Sequence, residues 1–476
     1  MNKKSNKLIS LMITFDRDMV KRCNQFLSSP YFNRSQDLQH YFAEVSRRLS
    51  KGLSLDKEMI WKSVWKKKPF NDVRFRKFSS DLLKLLEKFV VQEELESNKI
   101  IQQDLWLAAV NRLQPTKQKE AVLRNWSGLI ETTEEVLAES SRKYLSLFQF
   151  ERKRYELSNF DNRTEERSNL ETIMHNLDVF YISEKLHVFN SAKSTYFARY
   201  HQYEFAFIES LVDNIRENPV YLKYPTISMH YYTYLIGKEP ENESHYRAFK
   251  SLLLNQSSDL KESDLQTHYY TALNYSTIKI NSGNTDYLKE YIEVYKDGLV
   301  KEALFENGHI TAQQFKNIIS IALRNGDFEW VKSYIDNYQD RIPEQHRENA
   351  VNLNLAFYHF YKKDYDKAMD YLRGVEYENI TYNLNAKSML LAIYYETDEF
   401  DALDSLFDAI LAYLSRHKEI PANYKKLFRN LVSVTRKMTR IIPGDKKAIE
   451  KLRKEVEETK AIASLNWVRE KLDELA

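Results

Sequence analysis

Three short stretches decide how this chain folds: Asn325-Gly326-Asp327-Phe328, Lys363-Asp364-Tyr365 and Asp398-Glu399-Phe400. Each is a turn followed by an acid and an aromatic residue, and each opens an amphipathic run. With the aromatic as zero, apolar residues return at +3, +6, +7 and +10: Val331, Tyr334, Ile335 and Tyr338, then Ala368, Tyr371, Leu372 and Val375, then Leu403, Leu406, Phe407 and Ile410. Steps of three and four put all of them on one stripe of a 3.6-residue helix. The stripe continues upstream behind Tyr246 (Phe249, Leu252, Leu253) and Phe205 (Ile208, Leu211, Val212, Ile215), and is displaced behind Tyr287, where Glu290 stands at +3 and Tyr291 at +4. The anchors Phe205, Tyr246, Tyr287, Phe328, Tyr365 and Phe400 lie 41, 41, 41, 37 and 35 residues apart.

A second helix precedes each anchor, as in 313–324, 349–361 and 383–395, so the unit is helix, short turn, helix. A pair of this size cannot bury its own apolar face, and stacked neighbours supply the cover. Leu355-Ala356, followed by Lys363-Asp364-Tyr365, Ala368 and Leu372, resembles a tetratricopeptide repeat, in which two helices meet through small and aromatic residues at those spacings. The next unit departs from that pattern, with Leu390-Leu391 and Leu403 at the small-residue places, and the upstream units of 41 residues exceed the family's ~34. The whole arrangement, with Ser29-Pro30-Tyr31-Phe32-Asn33 near its start, also resembles a bacterial family with an N-terminal helical module and a tetratricopeptide-like body, for which no activity is assigned. The resemblance implies an all-α fold: a right-handed α-solenoid preceded by an N-terminal helical bundle.

Composition agrees. Nine Gly and nine Pro among 476 residues make just under 4%, against roughly 12% in average proteins. Tight hairpins and phosphate-cradling loops both need glycine, so sheets and nucleotide loops are disfavoured. The expected divisions are a basic module at 1–100, connecting long helices at 101–163, repeats at 164–435 and capping helices at 436–476. Residues 1–92 hold 20 Lys and Arg against 9 Asp and Glu, a net of +11, and the remainder carries −8 of the total +3. Cys23 is the only cysteine, which excludes an intrachain disulfide and a Cys-based zinc site and suggests a reducing compartment. The apolar stretch Leu8 to Thr14 is too short for a signal peptide, and the charge-free run Tyr224 to Gly237 is far below the ~20 residues of a membrane span. A cytoplasmic location without membrane contact follows as the expectation.

Little in the sequence carries chemistry. None of the 11 histidines has another three or four residues away, no Gly-x-Ser-x-Gly elbow or Walker loop exists, and Cys23 shares an apolar stripe with Met19 and Phe26. No enzyme, cofactor or metal is therefore expected. The expected function is a scaffold binding a protein or peptide segment of unknown identity. Position-by-position reading places Lys316, Asn317, Arg324, Asn354, Tyr361, Met389 and Tyr395 towards a partner groove. The alternative is a nucleic-acid-associated regulator. Trp61 to Phe78 reads as helix, basic turn and second helix, faintly similar to the middle helices of winged-helix domains but with no hairpin for a wing. Its candidate phosphate contacts are Lys66, Lys67, Lys68, Arg74, Arg76 and Lys77.

Overall fold

The computed structural model describes residues 6–66, 68–137, 139–158, 167–194, 203–256, 262–375, 380–459 and 461–476. Among these, 24 α-helices account for the architecture, 79% of the chain is helical, and no strand forms. No described helix is long and apolar enough to cross a membrane. The chain divides into two compact units, residues 1–181 and 182–476.

In the first unit, α1 (Lys7–Ile13), α2 (Arg17–Ser28), α3 (Gln36–Ser50), α4 (Lys57–Val64) and α5 (Asp72–Ser97) share one core that includes Cys23, Tyr41, Phe42, Trp61, Phe75 and Leu82. Their starts are written locally. Asn6, Asp16, Ser35, Asp56 and Asn71 each accept a first-turn N–H through the side chain, which satisfies donors that have no intrahelical partner. Burial pushes the Cys23 thiol up to about 12, so it packs as an inert apolar group.

Next come α6 (Lys99–Leu113), α7 (Thr116–Arg124), α8 (Trp126–Val136) and α9 (Ser141–Ser158) around Leu107, Val110, Trp126 and Phe150. Within the stretch expected to hold long connecting helices, 101–163, the described residues form four helices of 9 to 18 residues. The chain leaves helical geometry at Asn125 (ψ 25°) and again at Leu137. The buried Trp126 Nε1–H donates to Glu151 Oε1 at 2.9 Å, a tertiary bond that favours the break over helix continuation.

The second unit holds the C-terminal part of α10 (Leu170–Ser194) and α11 (Ile208–Glu217), then five helical hairpins. These are α12 and α13 (Pro225–Lys238, Glu243–Gln256), α14 and α15 (Glu262–Asn281, Tyr287–Val300), α16 and α17 (Ala312–Arg324, Phe328–Tyr338), α18 and α19 (Glu344–Tyr361, Tyr365–Arg373), and α20 and α21 (Ile380–Glu396, Phe400–Arg416). Helices α22 (Ala422–Met438), α23 (Lys446–Thr459) and α24 (Leu465–Leu475) close the chain. The anchors Tyr287, Phe328, Tyr365 and Phe400 are each the first residue of a second helix, whereas Tyr246 lies inside α13 and Phe205 precedes α11.

The four anchored turns share one geometry. One residue takes left-handed φ: Gly283 (99°), Gly326 (83°), Lys363 (59°) and Asp398 (57°). The next N–H reaches back five residues, Asn284 to Lys279 O, Asp327 to Ala322 O, Asp364 to His359 O and Glu399 to Tyr394 O, at 2.9–3.0 Å. This is a Schellman closure of the first helix, leading directly into the second. The small residues of the best-matching repeat meet as expected, Ala356 and Ala368 being fully buried in one cluster with Leu353 and Leu372.

Between hairpins the core is rich in tyrosine, and two hydroxyl pairs bond across neighbouring helices. Tyr295 and Tyr334 join α15 to α17, hydroxyl to hydroxyl, at 2.9 Å, and Tyr246 and Ser276 join α13 to α14 at 2.9 Å.

Two outcomes test this account. Lys363→Gly should raise stability by ~0.5–1 kcal/mol and Gly326→Ala should lower it by about as much, because only glycine enters the left-handed region without steric cost; urea melts measure both. Tyr334→Phe should cost ~1–2 kcal/mol by orphaning the Tyr295 hydroxyl, and adding Tyr295→Phe should cost less than a second such loss.

Candidate binding cleft

The first helices of successive hairpins present their free faces to one side. Steps of three and four place Thr271, Asn274 and Ile278 on one line of α14, and Thr233 and Gly237 on one line of α12. Together with Phe189, Asn190 and Lys193 of α10 and the segment Phe205–Ser210, they enclose a cleft of about 1180 Å³. Phe189 packs edge-on against Phe205 at 5.2 Å and lies 5.3 Å from Tyr234. Phe207 is 74% exposed and Ile278 63%, while Phe207 also holds φ at 61°, a conformation rarely adopted by a bulky residue.

Charge at the rim is largely self-satisfied: Lys238 pairs with Glu209 at 2.9 Å and Lys279 with Glu241 at 3.0 Å. Lys193 stands 5.6 Å over the Phe189 ring, and no carboxylate among the described residues pairs with it. The Asn274 carboxamide is exposed. Among the described residues, no histidine or cysteine lines the cleft. The arrangement offers, among the described residues, apolar contact together with the Lys193 ammonium and the Asn274 carboxamide.

The residues that sequence reasoning assigned to a groove are not brought together. Lys316 is partly buried and donates to Asn385 Oδ1 at 2.8 Å while its Nζ lies 5.7 Å over Phe357; desolvation pulls its pKa down to about 8. Asn354 and Met389 are interior, at 1% and 4% exposure, and Asn354 Nδ2 donates to Ala350 O. These three are structural. The cause is the reach of Lys316 from α16 to α20, across α18, which fills the inner face at this point. Asn317 is exposed and accepts from Gln313. Arg324 and Tyr361 line a separate cavity of about 780 Å³ beneath α24. Tyr395 packs edge-on against Trp467 of that helix at 5.5 Å, and Glu396 accepts from Trp467 Nε1 at 3.0 Å and pairs with Lys471 at 2.7 Å.

At the basic corner of the first unit, Lys66, Lys68, Arg74, Arg76 and Lys77 are exposed, and Lys67 lies outside the described residues. Arg76 is tied to Asp72 at 2.5 Å. The interleaved aromatics are core: Trp61, Trp65 and Phe75 are buried, and Trp61 Nε1 donates to Lys68 O at 2.9 Å.

A feature missed in the sequence is a histidine column. His187 of α10, His230 of α12 and His268 of α14 stack with ring centroids 4.9 and 5.1 Å apart. They are separated by 43 and 38 residues, close to the repeat period, and that spacing was the available signal. His230 and His268 are buried, and His268 Nδ1 has no partner. Asn190 Nδ2, on the cleft wall, donates to His230 O at 2.8 Å. Among the described residues no group of three or more His, Cys, Asp or Glu is arranged to hold a metal. No known protein family, curated protein or solved structure matches the chain.

Desolvation, reinforced by the neighbouring histidines, drives His230 well below its ordinary range and His268 down to about 3. Both are neutral when folded, whereas the unfolded chain takes up protons near pH ~6.5. Their contribution is thus complete above that pH and is lost as pH falls below it. Two such groups should lower unfolding free energy by up to ~2.7 kcal/mol per pH unit below pH ~6. Urea melts across this range should show that slope, and His268→Gln should reduce it.

Proposed function

We propose that the chain is a non-enzymatic interaction scaffold, built as a right-handed tetratricopeptide-like solenoid, that takes a protein or peptide segment in the cleft formed by α10, α12 and α14. The observation that carries this reading is the exposure of Phe207 and Ile278 around a cleft of about 1180 Å³ where Lys238 and Lys279 are already paired with carboxylates. Exposed apolar side chains at a concave site gain by being covered. The α14 line of Thr271, Asn274 and Ile278 runs along the cleft, so the ligand meets an apolar contact and a carboxamide that can bond its backbone. Lys193 supplies a place for a carboxylate beside an apolar anchor.

A random-peptide display library panned on the full chain tests the reading. Selected peptides should carry apolar anchors and lose at least about tenfold in affinity on Ile278→Asp. Asn317→Ala, outside the cleft, should leave them unaffected. Ile278 is exposed, so the melting temperature should hold. Peptides that bind equally well to Ile278→Asp, or a library that yields none, would overturn the proposal.

A further inference from the structure

The first unit sorts its cations into two sets. Arg22 pairs with Glu93, Arg47 and Arg48 with Glu44, and Lys57 and Arg76 with Asp72. By contrast, Arg74, Lys77, Lys84 and Lys88 are exposed and, among the described residues, make no ion pair. All four lie on α5 at steps of three, seven and four, which puts them on one stripe, ~21 Å long at 1.5 Å per residue. Only Asp81 interrupts it. The exposed Lys66 and Lys68 lead into its N-terminal end.

The order of charge along α5 opposes its own dipole. A helix favours acids at its start and bases at its end. Here Arg74, Arg76 and Lys77 occupy the first two turns, offset only by Asp72, while Glu93, Glu94 and Glu96 occupy the last. An anion against the first half of α5 relieves both the dipole and the mutual repulsion of the lysines. The stripe is also held ready. Trp61 Nε1 donates to Lys68 O at 2.9 Å, Lys68 N–H donates to Trp65 O at 2.8 Å, and Asn71 caps the Arg74 N–H at 2.9 Å.

We infer that this face of α5 docks the phosphate backbone of duplex nucleic acid without reading its sequence. A straight row of cations matches a polyanion of regular charge spacing. The aromatics that stacking on single strands requires are buried: Trp61, Trp65 and Phe75 stand at 5% exposure or less. Relative to the residues expected from sequence, Arg76 drops out because Asp72 holds it, and Lys84 and Lys88 enter. This surface is independent of the cleft, so its test leaves the peptide reading untouched.

The experiment is fluorescence anisotropy of the full chain with a labelled random-sequence duplex. Binding should weaken by ~10²–10³ between ~50 and ~200 mM salt, as expected for about four to six phosphate contacts. The combined Arg74→Glu, Lys77→Glu, Lys84→Glu and Lys88→Glu variant should lose at least ~100-fold. A control with the same charge change on exposed residues of the second unit, Lys426→Glu, Arg429→Glu, Lys447→Glu and Lys451→Glu, should bind as the parent does. Because all eight positions are exposed, thermal melts should match. Absence of salt-dependent duplex binding would sink the proposal, as would equal loss in both variants. Tighter binding of single strands, polyglutamate or phosphatidylserine vesicles than of duplex would also overturn it, by assigning the stripe to another polyanion.

Discussion

Four of the five hairpins of the second unit depend on one backbone event. At Gly283, Gly326, Lys363 and Asp398 the chain enters the left-handed region for a single residue, and the following N–H closes on a carbonyl of the first helix. That closure ends one helix and leads into the next after three residues at Gly326, Lys363 and Asp398 and after five at Gly283. It sets the second helix antiparallel to the first, and it places an aromatic at the same first position every time. Once the turn is fixed, the apolar stripe of the second helix has one direction in which to point. The buried tyrosines then knit neighbouring hairpins together through hydroxyl pairs such as Tyr295 and Tyr334.

The first five helices of the first unit and the second helices of the four anchored hairpins start by different means. In the first, five successive helices are capped by Asn, Asp or Ser side chains, so each helix is delimited by its own sequence and the connections vary. In the second, none of Asp286, Asp327, Asp364 and Glu399 makes a side-chain cap bond. There the preceding helix supplies the boundary condition, which suits a unit that must recur at nearly constant length.

The parts of this structure legible in the sequence are those governed by local rules. The helices around Asn71, Gly326 and Lys363 follow from caps, turn residues and apolar spacing within a dozen positions. What was not legible depends on contacts between distant residues. Lys316 and Asn385 lie 69 apart in sequence, and nothing near either one indicates that α16 and α20 meet across α18. For that reason Lys316, Asn354 and Met389 read as groove residues and are packed instead. The histidine column has the same character, since each histidine is unremarkable locally and only the stacking of α10, α12 and α14 aligns them. The break at Asn125 is likewise imposed by Trp126 and Glu151 from across the core.

The bridge from Lys316 to Asn385 also bears on the cleft. The cleft is lined by α10, α12 and α14, whereas Lys316 of α16 lies over Phe357 of α18 and donates to Asn385 of α20. Three adjacent helices with axes ~8–10 Å apart span about 20 Å, and an extended chain covers ~3.3 Å per residue. A segment lying across all three would therefore be held over about six residues. On the proposed scaffold reading, the cleft measures its ligand: a stretch of about six residues is covered, and anything longer leaves its ends outside.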